Sequence, residues 1–234
     1  MTQEEYVSDA VDLLKKLIAT PSVSRNEKDA ADIMEQTIRK YGFEPHREAN
    51  NIWIIDPHYD ESRPTLLLNA HIDTVKPVAS WTRDPFSPDV EDGVLYGLGS
   101  NDCGGGLCSL LQIFRMLTAK PQQYNLIYLA SAEEEVSGKD GITRALPLLP
   151  HIDLAILENG QYDKEWSLIH LMPQYMAQTA RDLKAKKVLT VHHSKYALAK
   201  HRWDEPLKNA EEMKNKDYLN VLIPEIGEVV TLEK

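Results

Sequence analysis

The 234-residue sequence is 42% hydrophobic and 26% charged, the proportions of a globular chain rather than a disordered or fibrous one. Asp and Glu number 36 against 26 Lys and Arg, a net charge of −10, which argues against a nucleic-acid-binding or anionic-membrane-binding face. No apolar run approaches the ~20 residues of a membrane span, the first residues carry neither a basic nor an apolar leader segment, and Cys103 and Cys108 supply no disulfide framework. The expectation is a cytoplasmic protein without membrane or nucleic-acid partners.

In chain order, Val7, Val11, Leu14, Leu17 and Ile18 recur at helical spacing ahead of Pro21. A second helix is predicted after Asn26 as its cap, with Ala30, Ile33, Met34 and Ile38 on one stripe and Gly42 at its end. Residues 51–56 and 65–75 read as strands, the second apolar enough to be covered on both faces. Asp92-Gly93 between Val90 and Val94 signals a hairpin. A glycine-led helix follows Gly104-Gly105-Gly106, then strands at 125–131 and 151–157. A helix is expected over 173–186, a strand over 188–192, a polar helix over 204–216 and two terminal strands. Strands alternating with helices predict a layered α/β/α domain with a mixed sheet.

Three clusters carry chemistry. His71 and Asp73 lie two apart at a strand end and so share a face; a metal-binding histidine with a carboxylate orienting it has this composition, and so does an ordinary polar strand end. Asp102 follows the turn Gly97-Leu98-Gly99, either as a carboxylate with two oxygens to bridge cations or as a helix cap. The same glycines lack the Gly-Lys-Ser/Thr ending of a phosphate loop. Glu133-Glu134-Glu135 follow an apolar strand directly. Three carboxylates there need solvent or partners; one alternative to a solvated turn is a metal ligand beside a general base.

Taken in order, these clusters resemble the zinc aminoacylase and carboxypeptidase-type metallohydrolases, most of all the acetylornithine deacetylase and succinyl-diaminopimelate desuccinylase group. The resemblance covers about residues 5–156. It is carried by Leu17-Ile18-Ala19-Thr20-Pro21-Ser22-Val23-Ser24, His71-Ile72-Asp73-Thr74-Val75, Trp81 with Asp84-Pro85-Phe86, Tyr96-Gly97-Leu98-Gly99 through Asp102, and Glu133-Glu134-Glu135. It implies that His71 binds one zinc with Asp73 supporting it, that Asp102 bridges two zincs, that Glu135 binds the second, and that Glu134 is the general base. Zinc is the implied metal, with cobalt as the alternative. The implied reaction is hydrolysis of an N-acyl amino acid, a small molecule of arginine or lysine biosynthesis. Cys103, beside the bridging position, departs from the family; it reads first as a spectator core residue, the alternative being a thiol that interferes with metal binding.

The family also needs a Glu or Asp in a strand-end segment and a histidine near the end of a longer chain. Glu158 is the candidate for the first, without the expected Gly and Pro framing. The lid and dimerisation segment has no counterpart, leaving the oligomeric state open. The remainder resembles the end of a metallo-β-lactamase-fold hydrolase of the phospholipase D-like or UlaG-like group, on Glu158-Asn159-Gly160-Gln161-Tyr162, His170-Leu171-Met172-Pro173, Val188-Leu189-Thr190-Val191-His192 and Trp203-Asp204-Glu205-Pro206. That resemblance implies His192 as a metal ligand and His201 as a further active-site residue. The expected organisation is a truncated catalytic domain over 1–157 joined to a short α/β tail over 158–234. An incomplete fusion of this kind would bind zinc weakly and hydrolyse little acetylornithine or succinyl-diaminopimelate.

Overall fold

The computed structural model describes residues 1–150, 152–166, 170–194 and 199–231. They form two compact units, one from residues 1–60 and 67–149, the other from 61–66 and 150–234.

In the first unit, α1 (Gln3–Ile18) starts at Thr2, whose hydroxyl accepts from the Glu5 N–H while the Glu5 carboxylate accepts from the Thr2 N–H. This reciprocal box satisfies two N–H groups at the helix start. Helix α2 (Lys28–Lys40) is capped at Glu27 and not at Asn26, as the sequence suggested, and neither side chain caps it. Gly42, at φ +88°, turns the chain out of the helix as expected. The sheet runs β1 (His46–Glu48), β2 (Asn51–Ile55), β6 (Asn125–Ser131), β3 (Thr65–His71), with β1–β2 and β2–β6 antiparallel. The Asp92-Gly93 hairpin joins β4 (Val90–Glu91) to β5 (Val94–Leu95). Helix α3 spans Gly105–Leu117 and a short α4 spans Ile142–Ala145.

Strand β6 is buried along its whole length. Its alternate residues explain this. Leu126, Tyr128 and Ala130 pack with Leu13, Met34, Leu107 and Phe114 of the three long helices, while Ile127 and Leu129 face Trp53 and Ala145. A strand covered on both faces needs an unbroken apolar run. Strand β3 was expected to be the same and is not. It ends at His71, lies at the sheet edge, and leaves Leu66 exposed and Leu67 and Leu68 half-buried.

The second unit holds a parallel sheet, β7 (Leu154–Glu158), β8 (Lys187–Val191) and β9 (Val221–Leu222), with α5 (Pro173–Asp182) and α6 (Glu205–Asn215). Its core joins Ala155, Leu157, Met176, Ala180, Val188, Ala210, Met213 and Val221. His151, where the strand was expected to start, lies outside the described residues. Of the two terminal strands expected, the described residues contain only β9.

Candidate metal centre

The site in the first unit is assembled where β3 and β6 end. The Ile72 N–H donates to the Ser131 carbonyl (2.8 Å), placing residues 71–73 beside residues 132–135. A parallel bridge pairs Thr74 with Val23, and the Ser24 N–H donates to the Thr74 carbonyl (3.2 Å), bringing the Thr20–Ser24 segment onto the same strand end.

Asp73 organises the cluster. Its carboxylate is buried and accepts the Ser24 hydroxyl (2.7 Å), the Glu134 N–H (3.0 Å) and the Glu135 N–H (3.1 Å). One carboxylate therefore fixes both the approach loop and the backbone of the candidate base. Burial pushes its pKa up, but His71 and these donors outweigh that and hold it below the ordinary carboxylate value. On the other side, His71 Nδ1 lies 2.9 Å from the Asp73 carbonyl and 3.6 Å from its carboxylate. That leaves Nε2 facing Asp102 (3.0 Å) and Glu134 (3.7 Å). Burial lowers the His71 pKa, but the bond to Asp73 and the neighbouring Cys103, Glu134 and Asp102 prevail and raise it to about 10. Burial, with the charges of Asp102, Glu134 and Asp73, pushes Glu135 up against the opposing effect of His71.

Asp102 is not a helix cap. Helix α3 begins at Gly105 after Gly104, with no side-chain cap, and Asp102 sits in the preceding Ser100–Gly104 turn with its exposed carboxylate toward His71. Gly99 makes this turn possible. Its φ is +73°, and a Cβ there would stand 2.6 Å from the Thr74 methyl. His71 thus shares one group with Asp102 and Cys103 and another with Glu134 and Glu135, each with ligand atoms within 4.8 Å of one another. Three carboxylates converging on one imidazole repel each other and suit a divalent cation of the N/O-preferring kind.

The sequence reading passed over three supporting residues. Glu27, fully buried, accepts the Glu133 N–H (3.0 Å) and holds Glu133 at φ +53°, at the head of the acidic turn. Asn51, also fully buried, accepts the Ala132 N–H (3.0 Å) and donates to the Asp140 carbonyl (2.7 Å), bracketing that turn. Ser24 orients Asp73. It ends the 17–24 segment that helps carry the resemblance, but its task becomes visible only in the tertiary pairing with Asp73. Glu133, by contrast, was read with its neighbours as a possible metal acid and instead props the turn through Asp140 (3.4 Å).

Glu158 and His192 group in the second unit with His170, a residue the sequence reading did not select as a ligand. His201 stands apart from that group. Its Nε2 accepts the Gln161 N–H (2.9 Å), Nδ1 pairs with the Arg202 carbonyl (2.8 Å), and the ring lies 4.5 Å from Tyr162.

The sequence profile of peptidase family M20/M25/M40 matches residues 67–214. The chain belongs to that family. Two succinyl-diaminopimelate desuccinylases are similar to it. The Xylella fastidiosa (strain M23) protein is 32% identical over 151 residues, 61% of this chain and 39% of that one; the Blochmanniella floridana protein is 31% identical over 154 residues, 62% and 40%. The chain therefore spans about two fifths of the length of these relatives. In fold it is similar to the Bacillus subtilis YXEP protein, described as a dinuclear metal-binding M20 peptidase, with a TM-score of 0.51 at 14% identity over 69% of this chain and 45% of that one.

The M20 match continues past residue 157 to residue 214, across the point where the sequence suggested a change of family, and the metallo-β-lactamase resemblance of the tail finds no support. The physical reason is plain in β7–β8–β9. A Val-Leu-x-Val strand flanked by amphipathic helices is what any parallel α/β layer uses.

Proposed function

We propose that this M20 chain hydrolyses the amide of an N-acyl amino acid, with N-succinyl-diaminopimelate, named in its relatives, as the first candidate substrate. The observation that carries the reading is a buried Asp73 that orients His71 on one side and fixes the Glu134 and Glu135 backbone on the other. His71, Asp102 and Glu135 are the residues to hold two divalent ions, zinc or cobalt; Glu158 and His192 are ligand candidates that group apart from them, within the second unit. Such ions would polarise the scissile carbonyl and acidify water. Glu134, exposed at the mouth of the cluster, takes the proton from the attacking water onto its carboxylate and returns it to the leaving amine nitrogen. Asp73 keeps His71 in one orientation and Cys103 is a spectator. The setting proposed is cytoplasmic amino-acid metabolism; among the described residues no helix is long and apolar enough to cross a membrane.

The test is release of amine from N-succinyl-diaminopimelate and N-acetylornithine by the chain with added zinc or cobalt. Glu134→Gln should keep its metal and lose about 10²–10⁴-fold in kcat. Metal uptake without turnover in the parent chain would favour the other reading, a catalytically incomplete chain. Turnover undiminished in Glu134→Gln would remove that residue from its role.

A further inference from the structure

We propose that the second unit holds a metal site of its own, a two-histidine, one-carboxylate cluster of Glu158, His170 and His192 that takes a first-row divalent ion of the zinc or cobalt kind. The inference is independent of the hydrolase reading, because its three ligands all lie in the second unit and none of them is His71, Asp102, Glu134 or Glu135.

Three elements bring the ligands together. Glu158 is the last residue of β7 and pairs with Val191 in the parallel register, so His192 follows directly at the neighbouring strand's end. His170 precedes α5. The Nδ1 of His170 is hydrogen-bonded to Glu158 Oε1, and the Nδ1 of His192 lies 3.6 Å from the same oxygen. The two rings are 5.7 Å apart between centroids, and one ligand atom from each residue lies within 4.8 Å of the others. Two imidazole nitrogens thus face a single carboxylate oxygen, one of them hydrogen-bonded to it and the other just beyond hydrogen-bond reach. A divalent ion seated among them would be met by two imidazole nitrogens and one carboxylate oxygen.

The backbone prepares this arrangement. The Asn159 N–H donates to the Val191 carbonyl (2.9 Å). A Cβ on Gly160 would stand 2.0 Å from the His192 carbonyl oxygen, so only glycine admits His192 this close to the end of β7. His192 itself is at φ +68°, a conformation a non-glycine residue holds only where its surroundings impose it. The ends of parallel strands are also where α/β sheets place ligands.

The donor set selects the ion. Two imidazoles and one carboxylate suit zinc, cobalt, nickel or iron(II), whereas calcium and magnesium prefer oxygen throughout. Three protein ligands, each only partly buried, leave a coordination position for water or a ligand atom from solution.

The test uses the full chain stripped with chelator and titrated with Co²⁺, read by the visible absorption of the bound ion and by elemental analysis. A His71→Ala/Glu135→Ala chain should still bind one Co²⁺. Adding Glu158→Gln, His170→Gln or His192→Asn, the last chosen because asparagine tolerates positive φ, should weaken that binding by at least about 10²-fold, since even residues that only support a ligand cost 10–100-fold. Circular dichroism checks folding of each variant. As a measurement that needs no variant in the cluster, Zn²⁺ added to the His71→Ala/Glu135→Ala chain should shift the ring-nitrogen resonances of His170 and His192. Absence of Co²⁺ uptake by that chain, binding unaffected by the added substitutions, or unshifted His170 and His192 resonances would each overturn the proposal.

Discussion

The two clusters of candidate metal ligands gather near strand ends in their units, yet they are held differently. In the first unit the candidate ligands are positioned by a buried carboxylate, Asp73, which accepts three hydrogen bonds and faces His71 as well. In the second, Glu158, His170 and His192 touch each other directly and are shaped by backbone, through Gly160 and the left-handed His192. The lesson is that ligand-type residues facing one another suffice for a candidate binding site, whereas placing a candidate general base takes a layer of buried polar groups behind it. Glu134 has such a layer because its own N–H is pinned.

The largest effect that would break this contrast is at Asp73. Asp73→Ala leaves the Ser24 hydroxyl and two backbone N–H groups without their acceptor and removes the carboxylate beside His71. It should cost about 3–5 kcal/mol of stability, as removal of one partner of a buried pair does, and should abolish metal uptake by the first cluster while sparing the second; urea denaturation with metal analysis of each unit's variants checks this. Gly160→Ala is the converse. Overpacking against the His192 carbonyl should cost about 1–3 kcal/mol and reduce Co²⁺ binding at Glu158–His170–His192, leaving any turnover by the first cluster intact.

A pH series sharpens the comparison further. The folded metal-free chain holds the His71 proton up to about 10, against 6.5 unfolded. The stability this contributes is complete below pH 6.5 and is lost as pH rises toward 10. The melting temperature of the metal-free chain should therefore fall across that window, and His71→Ala should remove that part of the slope. The smallest effect is expected at Cys103, where, on the spectator reading of the thiol, a serine should leave metal content and turnover near the parent values although Cys103 groups with His71 and Asp102. Loss of a metal equivalent in Cys103→Ser would make it a ligand.

Much of this was legible in the sequence. The apolar run 125–131 is β6 residue for residue, because a strand buried on both faces leaves no ambiguity. The run at 65–75 read the same way but ends at His71 at a sheet edge, since periodicity does not tell an edge strand from a central one. His71, Asp73, Asp102, Glu134 and Glu135 were singled out from spacing and resemblance, and the structure brings them together. Glu27 and Asn51 were missed because each acts on backbone groups more than 80 residues away in sequence, at Ala132 and Glu133. His170 was missed because nothing in its own neighbourhood of the chain points to Glu158. The tail was assigned to another family because its strand and helix pattern is common to many parallel α/β layers.

The central claim is that His71, Asp102 and Glu135 hold metal beside Glu134. Crystals of the zinc-loaded chain, measured at and below the zinc absorption edge, test it most directly. The account predicts anomalous density about 2.0–2.2 Å from His71 Nε2 and from carboxylate oxygens of Asp102 and Glu135, with Glu134 alongside and not bonded to the ion. The contradicting result is an anomalous map without density at His71, in which its Nε2 still bonds to Asp102.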